Sequence, residues 1–350
     1  MEVSSGEEQE EWTAEPVRKS TVSAVYLLAG EVFDDIYSPQ DKATIASRIN
    51  IQQNLITPEH YRMSSDVWPE VEMIFSGWGM VLMDDAFFRR FPKLKVIFYA
   101  AGTVRSFVTD AFWQRDIQLT NASAANAVPV CEFTLSQILF VLKHGWQKAL
   151  SIRKHRKFPA RYNAPGAYQS TVGLLSLGEI GRQVAERLLS FDMNVVAYDP
   201  FFPPEEAAAL KVKLLSLEEV FAVSDVVSCH TPLLKETEKM IRGVHFASMK
   251  PGAAFLNTAR GKVVNEEEMI EVLKKRPDIF ALLDVTQCEE PEKESPLYNL
   301  DNVVLTPHIA GSLGRECHRM GRLMTEELDR FLSRKPLRYV IDEERFKRLA

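Results

Sequence analysis

The stretch VGLLSLGEIGRQVAERLLSFDMNVVAYD, residues 172–199, decides how the rest of the chain is read. It opens on a continuous apolar run, turns at Ser176–Gly178, and continues as the helical pattern GEIGRQVAERLLSF. A second apolar run, NVVAY, then ends on Asp199. A strand, a helix and a strand in about thirty residues make a crossover, so the two strands are expected to lie parallel.

Outward from this unit the alternation persists in both directions. Downstream come VKLL (212–215), DVVSCH (225–230), AAFLNTA (253–259), FALLDV (280–285) and NVVLTPH (302–308) as strands, with NEEEMIEVLKKR among the intervening helices. Upstream, SAVYLLA (23–29), EMIFSG (72–77), KVIFYAA (95–101) and IQLTN (117–121) read as strands, with QDKATIASRI and DDAFFRRF as helices. A long apolar-periodic helix is expected from about Val128 to Trp146, with Pro129 at its start, where a missing amide is tolerated. The basic, then Pro- and Gly-rich stretch 147–170 reads as a connection, and 312–332 as one more amphipathic helix. The fold class is therefore α/β with two doubly wound parallel sheets, the second running from about 125 to 311, after a loose acidic tail at 1–20.

Composition narrows the function classes. The chain has 350 residues with 42 basic and 48 acidic side chains, a net charge of −6, so no nucleic-acid footprint is expected. The basic cluster RKHRK (153–157) reads as a solvated turn. Cys131, Cys229, Cys288 and Cys317 are scattered without a CxxC pair, which predicts no disulfide framework, no metal site and a reducing compartment. The acidic N-terminus lacks the apolar core of a signal peptide, and no apolar run is expected to cross a membrane, so the expected location is cytoplasmic.

The turn SLGEIG (176–181) has the geometry of a phosphate cradle. A strand-to-helix turn points free amides and the positive end of the helix dipole at a pyrophosphate. In G-x-G-x-x-G the second glycine admits the phosphates and the third packs helix on strand. Gly178 and Gly181 hold those places, while Ser176 holds the first, at a cost if positive φ is needed there. Asp199 lies eighteen residues past Gly181, near the spacing of a carboxylate that binds ribose hydroxyls. Pro200, Phe201 and Phe202 follow, with no cation for a 2′-phosphate, so NAD is favoured over NADP.

Polar residues stand at the carboxyl ends of the next strands, where ligands gather in such sheets. They are His230-Thr231, Asn257-Thr258-Ala259-Arg260-Gly261, Asp284 and Thr306-Pro307-His308. Hydride transfer to a 2-oxo acid asks for a guanidinium to hold the carboxylate and a group titrating near neutrality to protonate the carbonyl oxygen. It also asks for a carboxylate to orient that group. Arg260 and His308 suit the first two roles, and Glu289 and Glu290 both stand open for the third.

In this order the motifs resemble the D-isomer-specific 2-hydroxyacid dehydrogenase family, from about residue 70 to 333. The residues that carry the likeness are LKVIFYAAGTV, TNASAANAVPVCEF, the 172–200 stretch, NTARGKVVNEEEMIEVL and LLDVTQCEEPEKESPLYNLDNVVLTPHIAG. The resemblance implies a Rossmann NAD-binding unit (125–311) inserted into a flavodoxin-like substrate unit (21–124 and 312–350), with the helix after His308 returning to the first unit. It implies Arg260, Glu289 and His308 as the catalytic set, Glu289 being five residues past Asp284. The implied cofactor contacts are Gly178, Glu179, Ile180, Gly181, Asp199, Thr231, Thr258, Ala259, Arg260, Asp284, His308 and Gly311. Substrate contacts fall on Ala101, Gly102 and Thr103, with Arg260 and His308, and Trp78 in SGWGM (76–80) is a further candidate. Family members usually dimerise through the nucleotide unit, and a homodimer is expected. The family also includes corepressors that bind NADH with little catalysis, the alternative to an enzyme. This chain departs from the family pattern at Ser176, at Arg105 where an acid is usual, and along 147–170. Arg105 reads either as a surface change or as the answer to a second negative group on the substrate.

Overall fold

The computed structural model describes residues 20–161 and 163–348. The acidic tail expected at 1–20 lies, Ser20 excepted, outside the described residues. The first sheet contains β1 (Ser23–Leu27), β2 (Asn50–Ile56), β3 (Val71–Ser76), β4 (Val96–Tyr99) and β5 (Gln118–Asn121). All pairs are parallel, in the order β2-β1-β3-β4-β5. The second contains β6 (Thr171–Leu175), β7 (Asn194–Tyr198), β8 (Val212–Leu214), β9 (Val226–Cys229), β10 (Ala254–Asn257), β11 (Phe280–Leu283) and β12 (Val303–Leu305). Its order is β12-β11-β10-β9-β6-β7-β8, again parallel throughout. Each sheet therefore reverses its strand order once, at β1/β3 and at β6/β9, and such switch points open crevices at the carboxyl ends of the strands.

The pleat explains the continuous apolar runs, because successive side chains feed opposite faces of a covered sheet. In β6, Val172 and Leu174 pack with Val184, Leu188 and Ile138 on one face, while Leu175 packs with Phe221, Phe246 and Phe255 on the other. In the first sheet, Ala24, Phe75 and Phe98 share a face with Met320, Met324 and Leu328 of the helix Cys317–Leu332. The chain thus returns to its first sheet after the second is complete, as the resemblance implies.

Three local expectations are corrected. The strand β2, NIQQNLI, was not anticipated; it lies at the edge of its sheet, where packing demands few apolar residues. The long helix runs Ser123–Val141 rather than 128–146, so Pro129 lies inside it, and its upstream turn is formed by SAANAV. The stretch 147–170 is not all connection: Gly145–His155 is a helix, with Arg153, Lys154 and His155 in its last turn, where they complement the helix dipole. Beyond these, Val340 bridges Thr120 antiparallel on the β5 edge, and Glu343–Arg348 forms a helix. Among the described residues, Ser123–Val141 is also long and apolar enough to cross a membrane by length and composition, against the expectation of no such run. It packs Ala125 into the first core and Cys131, Ile138 and Val141 into the second.

Candidate active site

The fingerprint turn is built as its chemistry requires. Ser176 has φ +74°, so the first position does need a left-handed backbone. Two contacts hold it there: its amide donates to Tyr198 O at 2.8 Å and its hydroxyl to Thr231 Oγ1 at 3.1 Å. A Cβ on Gly181 would collide with the Ser176 carbonyl, which explains the third glycine. A Cβ on Gly178 would meet nothing within 4 Å, and no side chain caps the helix Glu179–Leu188 that starts there. Open space beside uncapped first-turn amides fits a pyrophosphate. Asp199 stands half-buried beside the turn, Oδ2 accepting from Leu177 N and Oδ1 from Phe201 N. These residues fit a dinucleotide: free amides for phosphate, and a fixed carboxylate for ribose.

Thr231 and Thr258 are buried, and Thr258 Oγ1 lies 3.3 Å from Thr134 Oγ1 on the long helix. Ala259 is also buried, its amide donating to Asn257 Oδ1 while Asn257 Nδ2 donates to Arg260 O. Asn257 therefore braces the turn that presents Arg260. Burial lowers the Arg260 guanidinium below its ordinary value, and Glu289 opposes that shift. At neutral pH an arginine keeps its charge regardless.

His308 follows β12 with φ +53°, its amide donating to both Asp284 O and Thr306 O at 3.0 Å. The buried Asp284 carboxylate grips this turn from below, taking Thr306 Oγ1 at 2.6 Å, Ile309 N at 2.9 Å and Ala310 N at 2.9 Å. His308 Nδ1 meets Glu289 Oε1 at 2.6 Å. Of the two glutamates left open by the residues alone, Glu289 makes the contact. Both line a cavity of about 450 Å³ with Asp284, Thr306 and Pro307.

The first sheet contributes the loop after β4. Ala101 O accepts from Ala122 N at 2.9 Å and Gly102 O from Asn121 Nδ2 at 2.7 Å, so these carbonyls turn inward. Among the described residues nothing accepts from the amides of Ala101, Gly102 and Thr103, and the space beside Gly102 is open. Asn126 connects this region to the His308 turn: its Oδ1 accepts from Ser312 N at 2.9 Å and lies 3.3 Å from where a Cβ on Gly311 would be. Asn121, Asn126 and Asn257 all stand inside the motifs that carry the resemblance, but without geometry they were only polar residues near strand ends. Trp78 is 37% exposed in the turn after β3. Arg105 turns away from the loop, donating to Phe346 O and Lys347 O and lying over the Phe346 ring, so it ties down the C-terminal helix. Among the described residues no cluster of His, Cys, Asp or Glu is placed to hold a metal ion.

Residues 135–310 match the family model described as D-isomer specific 2-hydroxyacid dehydrogenase, NAD binding domain. The D-3-phosphoglycerate dehydrogenase of Archaeoglobus fulgidus is 33% identical over 250 residues, covering 71% of this chain and 47% of that protein. The chain thus spans about half the length of such relatives. The hydroxypyruvate reductase of Thermotoga maritima is 29% identical over 297 residues, covering 84% of this chain and 96% of its own. Among solved structures, the apo D-mandelate dehydrogenase of Rhodotorula graminis superposes with TM-score 0.75 at 25% identity, covering 92% of this chain and 98% of its own. The NAD-complexed D-isomer specific 2-hydroxyacid dehydrogenase of Lactobacillus delbrueckii ssp. bulgaricus shares the fold, with TM-score 0.76 at 21% identity over 91% of this chain and all of its own. With its fingerprint turn, its Arg260–Glu289–His308 constellation and these matches together, the chain belongs to the D-isomer specific 2-hydroxyacid dehydrogenase family.

Proposed function

We propose that this chain interconverts a D-2-hydroxy acid and its 2-oxo acid with NAD. The observation that carries the reading is the 2.6 Å contact of His308 Nδ1 with Glu289 Oε1, near the half-buried guanidinium of Arg260. A dinucleotide held by the turn at Gly178–Gly181 and by Asp199 would supply the nicotinamide that gives or takes a hydride at C2 of the substrate. Glu289 fixes the orientation of the imidazole and its Nδ1 proton, leaving Nε2 to donate a proton to the carbonyl oxygen in reduction and to accept one in oxidation. Arg260 offers paired donors to the carboxylate, and the amides of Ala101, Gly102 and Thr103 supply donors from the other unit. Asp284 holds the His308 turn, and Gly178–Gly181 with Asp199 hold the cofactor. The carboxylate of Asp199 and the absence of a cation among Pro200–Phe202 favour NAD over NADP. Purified full chain should oxidise NADH with at least one member of a 2-oxo acid panel, and NADPH more slowly. Tight NADH binding without turnover of any 2-oxo acid would overturn the reading.

We further infer that two copies pair through the segment where Phe140, Leu150, Phe158 and Tyr168 are 43%, 36%, 84% and 71% exposed. Sedimentation at micromolar concentration should report twice the chain mass; a monomer there would remove the dimer.

A further inference from the structure

The dehydrogenase reading gives the amides of Ala101, Gly102 and Thr103 a share of the substrate carboxylate. Amides in a loop bind well where their backbone is held beforehand, because ordering it on binding costs affinity. We propose that the C-terminal segment 338–348 supplies that hold, with Arg105 as its positioning residue, acting on the substrate through the loop. This rests on the dehydrogenase reading and concerns the same site.

The first attachment runs through β5. Glu327, wholly buried on the helix Cys317–Leu332, accepts from Arg338 N at 2.8 Å and from Tyr339 N at 3.3 Å, which fixes where the segment begins. Ile341 N donates to Leu119 O at 2.8 Å and Val340 bridges Thr120, so the segment adds a short antiparallel stretch to the edge of the sheet. Asn121 N then donates to Tyr339 O at 3.3 Å, while Asn121 Nδ2 donates to Gly102 O at 2.7 Å. Asn121 therefore holds the C-terminal segment with its backbone and the carboxylate loop with its side chain.

The second attachment is Arg105, two residues beyond Thr103. Its amide donates to Thr103 Oγ1 at 3.4 Å, and its Nη2 donates to Phe346 O at 3.0 Å and Lys347 O at 2.9 Å. The guanidinium lies 5.1 Å from the Phe346 ring centre, and that ring meets Trp113 edge-on at 5.3 Å. Ile341 and Phe346 pack in the apolar cluster that also holds Ala101, Val104 and Phe107, so loop and segment share one core. Hydrogen bonds from a cation are stronger than neutral ones. An ionised acid at this place, the residue usual in the family, has no proton to give those carbonyls. The arginine and the helix Glu343–Arg348 are thus matched to each other, and the loop is fixed on both flanks by one segment.

The test is steady-state kinetics and NADH binding for the full chain, Arg105→Ala and Arg105→Lys, on a 2-oxo acid panel that includes pyruvate, hydroxypyruvate and phenylpyruvate. For each acid the parent turns over, Arg105→Ala should raise KM by at least about fivefold, with kcat and NADH affinity within about twofold of the parent. Lysine can still donate to one carbonyl, so Arg105→Lys should recover part of the loss. A variant that is merely less stable loses kcat and NADH binding together, and the split between KM and kcat separates the two cases. Phe346→Ala should raise KM in the same way. The double variant should exceed the larger single effect by less than about twofold, because both changes act through one contact. An unaltered KM in Arg105→Ala, or matched losses of kcat and NADH affinity, overturns the proposal and leaves the dehydrogenase reading intact. Turnover of no 2-oxo acid by the parent, with NADH bound, sinks that reading and the proposal with it.

Discussion

His230 and His308 invite comparison, because each follows a strand of the second sheet and each has a threonine and a proline beside it. Their environments are opposite. His230 is buried under the fingerprint turn, 3.8 Å from where a Cβ on Gly181 would be, with Nε2 at 3.0 Å from Ser228 Oγ. Burial pushes its pKa down to about 4, so it is neutral at physiological pH. His308 has a side chain 43% exposed, with the Glu289 carboxyl at 2.6 Å. The difference teaches that residue type and strand-end position do not assign a histidine its role. A hydroxyl in a dry pocket makes one a packing element, and a carboxylate at a wet edge suits the other to the proton transfer proposed for it.

The largest expected effect tests the second half of that contrast. His308→Ala should lower kcat by roughly 10²–10⁴-fold, the usual range for a lost general acid. Parental turnover by the variant would end the assignment. The pH dependence of folding tests the first half. His230 has a folded pKa of about 4 against 6.5 in the unfolded chain, so the unfolded state takes up the proton first as pH falls. Its contribution is present above pH 6.5 and is lost between 6.5 and about 4, amounting to about 3 kcal/mol at most. Denaturant unfolding across that window should slope more steeply for the parent than for His230→Gln; parallel slopes would mean His230 is not held neutral. The smallest effect sharpens the comparison between the turns themselves, since Ser176 and His308 are both left-handed non-glycine residues. His308 cannot become glycine without losing its chemistry, whereas Ser176 can. Ser176→Gly relieves backbone strain but loses the hydrogen bond to Thr231, so stability should change by no more than about 1 kcal/mol and NADH affinity by less than about threefold. A much larger gain in NADH affinity would show that the serine strains the phosphate cradle.

Legibility differed between the two sheets. All seven strands of the second were readable: the five inner ones, covered on both faces, are largely apolar runs, and the edge strands β8 and β12 keep short ones, VKLL and VVL. In the first sheet β2 escaped notice, since an edge strand can be written with Asn and Gln. The helix Gly145–His155 was hidden for a similar reason: none of its residues is fully buried, so no apolar stripe marks it. Pro129 was misplaced because proline is tolerated in a first turn and the upstream SAANAV turn carries little periodicity.

The residues alone determined the α/β class, the crossover at 172–199, the likeness to one family and the small set of polar groups at strand ends. Each is written locally, in apolar runs, glycine spacing and short motifs. Tertiary structure decided which glutamate meets His308, that Ser176 adopts positive φ, and that Asp284 and three asparagines brace the site. It also settled Arg105, whose partner carbonyl belongs to a residue 241 positions away. Such contacts depend on where distant backbone groups arrive once both sheets are packed, and no local pattern records that.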